Sequence, residues 1–432
     1  MPILLLLILL ALPQPVFSGA QEAELEKIVV LSRHGVRAPT QPERVLSLWS
    51  DKTWPAWPVE AGDLTPRGAE LVRAMWGALK PGLIARGILP EGVCPPQNSV
   101  YIRADVDERT KATARAIIEG LGQDCKLGYA VMPGKIDPLF HPVKAGLYRF
   151  DAIPTAVDVL KMARGGLEGL QDELSGALEL IGEISGPPSA TLCSRFALMP
   201  KCELSDLPNA VSVTADGAGV RIMGSLGIGS SLAEIFLLEY AQWPNEAAGW
   251  GRVNARVLGQ VMPVHSRVFN IVNRAAVVAW ANGSALLNEM SAALLGEHAD
   301  KRANEAKLVI FVGHDTNIAN VGGLLDFAWQ ASGYPPNGIP PASALFLELW
   351  KVGGERQVRA RFYAQTPAVL HQDFKADAEP VISHAAAETM VKHGDAPVSM
   401  SVSAFRQLVA KKTQGAPEVV GEDPGFVYGK AN

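Results

Sequence analysis

The chain has 432 residues, 48% hydrophobic and 19% charged, with a formal net charge of −5. That length supports a large core and more than one domain, and the composition excludes disordered and collagen-like classes. A mildly acidic chain gives no reason to expect nucleic acid as a partner, so any anion must be held by a local concentration of positive charge.

The first twenty residues, MPILLLLILLALPQPVFSGA, contain an uninterrupted apolar run from Ile3 to Leu12. It is too short to span a bilayer but fits the core of a secretory signal. Ser18 and Ala20 supply small residues for cleavage before Gln21. No later run is long and apolar enough to cross a membrane. A mature, soluble, periplasmic or secreted protein is therefore expected, with no membrane partner once residues 1–20 are removed.

Three segments then read as buried strands feeding polar turns. KIVVLS runs into Arg33 and His34, NSVYIRADV leads into a helical pattern from about Arg109 to Leu121, and AKLVIFVGHDT ends at Gly313, His314 and Asp315. Continuous apolar runs of this kind suit strands covered on both faces. In such sheets ligands collect beyond the carboxyl ends of the strands, where all three segments place their charged residues.

Four cysteines, Cys94, Cys125, Cys193 and Cys202, allow three pairings. An even count in an exported protein favours disulfides, and the sequential pairs Cys94–Cys125 and Cys193–Cys202 close the smaller loops. Between Thr155 and Ile184, and from Ser230 to about Leu295, apolar residues recur at helical spacing. SSLAEIFLLEYAQW is one amphipathic helix, with Ser230 or Ser231 as its expected N-cap. An inserted, mainly helical domain over residues 141–255 is expected, flanked by an α/β catalytic domain of residues 21–140 and 256–432. SALFLELWKV and QVRARFYAQT alternate as a hairpin around GGER. The last thirty residues carry little pattern.

The segment Arg33-His34-Gly35-Val36-Arg37-Ala38-Pro39 is a set of parts for phosphoryl chemistry. Arg33 and Arg37 are permanently charged forks that suit phosphate oxygens. Gly35 admits close backbone approach or a positive φ. His34 stands between the arginines, where an imidazole can attack an electrophile they hold. Asp315 can supply a proton to a leaving alcohol, and Arg109 offers a third guanidinium, or else a surface ion pair with Asp105 or Asp107. No cysteine is followed six positions later by arginine, which excludes cysteine phosphatases, and no HExxH or other zinc spacing occurs.

SRHGVRAPT, WPAWPVEAGDLTPRG, ADVDERT, DPLFHPVKAG, AEIFLLEYAQ, GWGRV and GHDTNIANVGG occur in order from about residue 28 to 325. On these stretches the chain resembles the histidine acid phosphatases, within them the bacterial periplasmic phytase and glucose-1-phosphatase branch. The resemblance implies an α/β fold: a mixed, mostly parallel sheet with helices on both faces, of phosphoglycerate-mutase type, plus the inserted helical domain. It implies that His34 is the nucleophile of a phosphohistidine mechanism and Asp315 the proton donor. Arg33, Arg37, Arg109 and His314 are implied to hold the phosphate, with Thr40 and Thr316 on the substrate side and Glu234 in contact with substrate. No metal or other cofactor is implied, and the partner is a small phosphate monoester. An acidic optimum follows from an acid that must be protonated. Two departures bear on substrate: Gln41 replaces a lysine expected after RAPT, and VVAWANGS (277–284) lacks the arginines expected of a phytase helix. A sugar-phosphate phosphatase is the alternative, and a phosphoryl-binding protein without turnover is a third reading. Cofactor-dependent mutases share the RHG histidine but not the R-x-P continuation or a signal segment.

Overall fold

The apolar run around Val29 lies inside strand β1 (Ala23–Arg33), and its alternate residues face two different cores. Val29 and Leu31 join one apolar cluster, while Ile28 and Val30 join the other, all of them fully buried. A strand covered on both faces has no solvent side, which is why its sequence is continuously apolar. The computed structural model describes residues 23–198, 201–245, 248–372, 387–417, 419 and 425–428; the expected signal segment, residues 1–20, lies outside them.

After β1 come helix α1 (Pro66–Ala85), strand β2 (Val100–Ala104), helix α2 (Glu108–Gly122) and strand β3 (Gly128–Val131). Thr65 caps α1 by accepting a hydrogen bond from the Gly68 N–H at 2.9 Å, with Pro66 in the first turn, where its missing N–H costs nothing. α1 and α2 pack together on one sheet face, burying Met75, Trp76, Ile117 and Leu121 against Ile28, Val30 and Ile102. Each such side chain contributes roughly 1.5–3 kcal/mol of burial.

The other face is covered by a helical layer: α3 (Ala152–Met162), α4 (Ser175–Ser185), α5 (Ser225–Gln242), α6 (Ala255–Asn273) and α7 (Ala276–Leu295). α6 packs along α5 and α4, and the layer's core is continuous with Val29, Leu31 and Phe311 of the sheet. Helices continue past residue 255 to Leu295 before the sheet resumes with β4 (Leu308–Gly313), followed directly by α8 (Asp315–Leu324). A short antiparallel hairpin, 210–213 with 220–223, interrupts the helices.

The expected N-cap of α5 is corrected. The helix starts before Ser230, at Ser225, after Gly224 at φ +85°. A Cβ at Gly224 would stand 2.1 Å from the Pro208 carbonyl oxygen, so only glycine fits there. Ser231 lies inside the helix and donates to the Gly227 carbonyl at 3.0 Å. Gly227 and Gly229 are poor helix formers, and packing of this first turn against Leu178 and Val264 makes it helical all the same.

The hairpin forms as β5 (Ala344–Val352) and β6 (Glu355–Ala364), followed by β7 (Ala387–Met390) and β8 (Gly425–Tyr428). The sheet order is β7-β6-β5-β1-β4-β2-β3-β8. The centre, β1-β4-β2-β3, is parallel and both flanks are antiparallel. The fold is thus mixed α/β with helices on both faces. Cys94–Cys125 brackets β2 and α2, and Cys193–Cys202 closes a loop in the helical layer. Among the described residues no helix is long and apolar enough to cross a membrane.

Candidate active site

Register decides where the charged turns meet. Arg33 is opposite Gly313 across β1 and β4, and Ala104 is opposite Val312 across β2 and β4. The residues that follow, His34, His314 and Asp105, therefore leave the sheet side by side at its carboxyl edge. The backbone of His34 is held by its N–H to Gly313 (3.0 Å) and by its carbonyl to the Ala342 N–H (2.9 Å). Gly35 serves by close approach, not by a positive φ. A Cβ there would lie 2.8 Å from both the Gly68 carbonyl oxygen and a Val72 methyl, so α1 can press against the turn only if the residue is glycine.

His34 is almost fully buried, and its Nδ1 lies 2.9 Å from the Gly35 carbonyl oxygen. A carbonyl can only accept, so Nδ1 carries the proton and Nε2 the lone pair. Burial, then the positive fields of Arg109, Arg33 and Arg37, hold the imidazole pKa well below its usual 6.5. The ring thus keeps its lone pair in acid, a condition that nucleophilic attack would require.

The arginines are paired around this ring. Arg33 Nη2 contacts Glu234 Oε1 at 2.7 Å and Asp315 Oδ2 at 2.8 Å, and its Nη1 donates to the Ile339 carbonyl. Arg37 Nη2 reaches the same Glu234 oxygen at 3.2 Å. Burial works against ionising Glu234, but Arg37, His265 and Arg33 outweigh it and bring its pKa down to about 2. Arg109 makes an ion pair with Asp107 and also lies 3.2 Å from His314 Nδ1. Arg109 thus has a local carboxylate partner, in a half-buried ion pair, and it also lines the pocket.

His314 sits at the N-cap of α8, where its backbone N–H donates to Asn317 Oδ1 at 2.9 Å. Asp315 and Thr316 begin the helix, and Asp315 Oδ1 accepts from the Thr316 N–H at 2.8 Å. Arg109 has only donors, so His314 Nδ1 accepts from it and Nε2 carries the ring proton, donated to Asp105 Oδ2 at 2.7 Å. Burial would raise the pKa of Asp105, but hydrogen bonds from His141 and His314 overcome that and hold it well below the ordinary carboxylate range. Burial in turn lowers the pKa of His314.

His34, Arg37, Thr40, Arg109, His314, Asp315 and Thr316 all line one pocket of about 360 Å³. Arg33 and Glu234 lie behind it, joined to it through Asp315 and Arg37. Every residue singled out in the sequence is thus at this edge. Sequence reasoning passed over His141, Lys144 and the amides Asn273, Asn282 and Asn320 that complete the wall, and it named Asp105, which lies buried behind His141 and His314, only as a partner for Arg109. A signal for Asp105 existed: it directly follows a buried strand, as His34 and His314 do. Asn273, Asn282 and Asn320 come from three separate helices and share no local pattern.

The assembly can hold a tetrahedral dianion between guanidinium groups and the positive end of α8, present it to an imidazole lone pair, and place a carboxyl group beside the departing oxygen. Residues 24–162 and 264–363 match the histidine phosphatase superfamily (branch 2). The chain is 36% identical to the phytase AppA of Escherichia coli over 81% of this chain and 82% of that protein. It is 30% identical to a glucose-1-phosphatase of Salmonella typhimurium, covering 70% and 71% of the two chains. The apo phytase of Hafnia alvei superposes with a TM-score of 0.83 at 31% identity, covering 92% of this chain and 98% of the other.

Proposed function

The chain belongs to the histidine phosphatase superfamily, branch 2, and on that footing we propose an acid phosphomonoesterase working through a phosphohistidine, with phytate as its substrate class. The observation that carries the reading is His34: a buried imidazole with Nδ1 tied to a carbonyl and Nε2 free, at an edge carrying Arg33, Arg37 and Arg109. His34 Nε2 attacks phosphorus while the P–O bond to the leaving alcohol breaks. Asp315 gives its proton to that oxygen. Water then attacks phosphorus, Asp315 recovers the proton, and the N–P bond breaks to leave neutral His34 and inorganic phosphate. The arginines and His314 balance charge on the equatorial oxygens, which is most of what phosphoryl transfer asks of a protein. Glu234 spaces Arg33 and Arg37 through one oxygen, and Thr40 and Thr316 face the substrate body.

The pocket wall favours a second reading, a sugar-phosphate phosphatase. Beyond Arg37 and Arg109 the only lysine or arginine lining it, among the described residues, is Lys144. Asn273, Asn282 and Asn320 share that wall with Val220, Val272 and Val278, a surface for hydroxyls and ring faces more than for many phosphates. The two disulfides and the N-terminal apolar run support export to the periplasm or medium.

Hydrolysis of p-nitrophenyl phosphate by the wild type and by His34→Ala tests the mechanism. Acid-labile phosphoprotein should form in the first and be absent from the second, with loss of turnover. An active alanine variant would remove the covalent step. Rates on phytate, glucose 1-phosphate and an aryl phosphate, measured side by side, decide between the substrate readings.

A further inference from the structure

Three donor atoms beside the pocket meet at a spacing that suits a metal ion. His314 Nε2 and Asp105 Oδ2 are 2.7 Å apart, His141 Nε2 and the same oxygen 2.9 Å, and the two imidazole nitrogens 3.2 Å. Both rings address one carboxylate oxygen, so each Nε2 needs a proton to donate, and the third edge then sets two N–H groups against each other with no acceptor between them. Asp105 is fully buried, and its other oxygen, Oδ1, has no hydrogen-bond partner among the described residues. Asp107 Oδ2 stands 3.8 Å from His314 Nε2, and all four ligand atoms lie within 4.8 Å of one another. Ligands about 2.0–2.1 Å from a tetrahedral zinc are separated by ~3.3 Å, so the triangle need open by only a few tenths of an ångström.

We propose that Asp105, Asp107, His141 and His314 form an inhibitory site for a late divalent transition metal of the zinc type. Carboxylates are hard donors, but the two imidazoles are borderline ones, and a set with two of them favours zinc, cobalt or copper over magnesium or calcium, which take oxygen ligands. His141 and His314 line the pocket, which gives the ion a route from solvent. The cost to turnover follows from proton bookkeeping on one ring. His314 Nδ1 accepts from Arg109 at 3.2 Å, so its proton sits on Nε2. A metal on Nε2 displaces that proton, and a neutral ring must then carry it on Nδ1, facing an Arg109 N–H. Asp107, drawn to the metal, leaves its ion pair with the same arginine. Arg109 thus loses both partners and its position against the phosphate. This is not a catalytic metal: it acts by disarming a substrate-holding group. The binding claim stands on geometry alone, while the inhibition rests on the phosphatase reading.

Titration calorimetry and visible absorption with Co²⁺, then displacement by Zn²⁺, test binding in tag-free protein without substrate. The expected result is about one equivalent with the intense visible bands of four-coordinate cobalt. His141→Asn and Asp107→Asn should each weaken binding by at least about tenfold. Zn²⁺ inhibition of p-nitrophenyl phosphate hydrolysis, scaled to each protein's own metal-free rate, should weaken in parallel. No stoichiometric binding by the folded wild type, or unchanged affinity in both variants, would overturn the site. Stoichiometric metal with undiminished turnover would overturn its inhibitory role. If the wild type binds metal but turns over no phosphate ester, the phosphatase reading fails and the binding site stands.

Discussion

Replacing Glu239 with glutamine should make the protein less sensitive to alkali. Glu239 lies on α5 and is 3% exposed; one oxygen accepts the Gly249 N–H at 2.7 Å and the other has no partner among the described residues. Burial raises its pKa from 4.5 to about 7, against the pull of that single hydrogen bond. The folded protein therefore binds more protons at this site than the unfolded chain between those two values. Its stabilising effect is complete below about pH 4.5 and is lost as pH rises through about 7. The full difference corresponds to about 3 kcal/mol, and to roughly 2–3 kcal/mol between about pH 5 and about pH 8. Glutamine keeps the acceptor for Gly249 and does not titrate. Its buried amide N–H groups cost on the order of 1 kcal/mol at every pH, so that cost cancels in a difference. The buried histidines have slopes of opposite sign, since their folded pKa values are lowered, but both proteins share them. Urea unfolding followed by tryptophan fluorescence at the two pH values measures the effect. Trp250, next to Gly249 and packed on Trp54, is a convenient reporter. The wild type should lose roughly 2–3 kcal/mol more than the variant on going to the higher pH. Parallel behaviour of the two proteins would mean that Glu239 is not held neutral by its surroundings.

Two further substitutions probe the site. Asp315→Asn is expected to lower kcat by about 10²–10³-fold on sugar or inositol phosphates, whose alkoxides need a proton to leave, and far less on p-nitrophenyl phosphate. Equal losses on both would assign Asp315 a structural role. Lys144→Gln is expected to raise KM for phytate about fivefold, the worth of one screened ion pair of about 1 kcal/mol, with a much smaller change for the aryl ester. Equal shifts would show that Lys144 does not read the distal part of the substrate.

The phosphatase reading was legible from sequence because the candidate residues are local. Arg33, His34, Gly35 and Arg37 occupy one turn, and His314 with Asp315 another, each announced by a buried strand whose apolar run has no other explanation. Strand order, register and pairing are not local. Only the fold shows that β4 lies between β1 and β2, which brings His34, His314 and Asp105 to one edge. Helix starts depend on packing in the same way: the glycine-rich first turn of α5 is held by neighbours that its own propensities do not reveal. The pocket wall and the Asp105–His141–His314 triangle draw on segments more than a hundred residues apart. Sequence by itself determined the chemistry, since catalysis needs particular functional groups in a strand-end turn. Tertiary structure alone decided protonation states, charge pairing and the shape of the pocket, because those depend on burial and distance between residues remote along the chain.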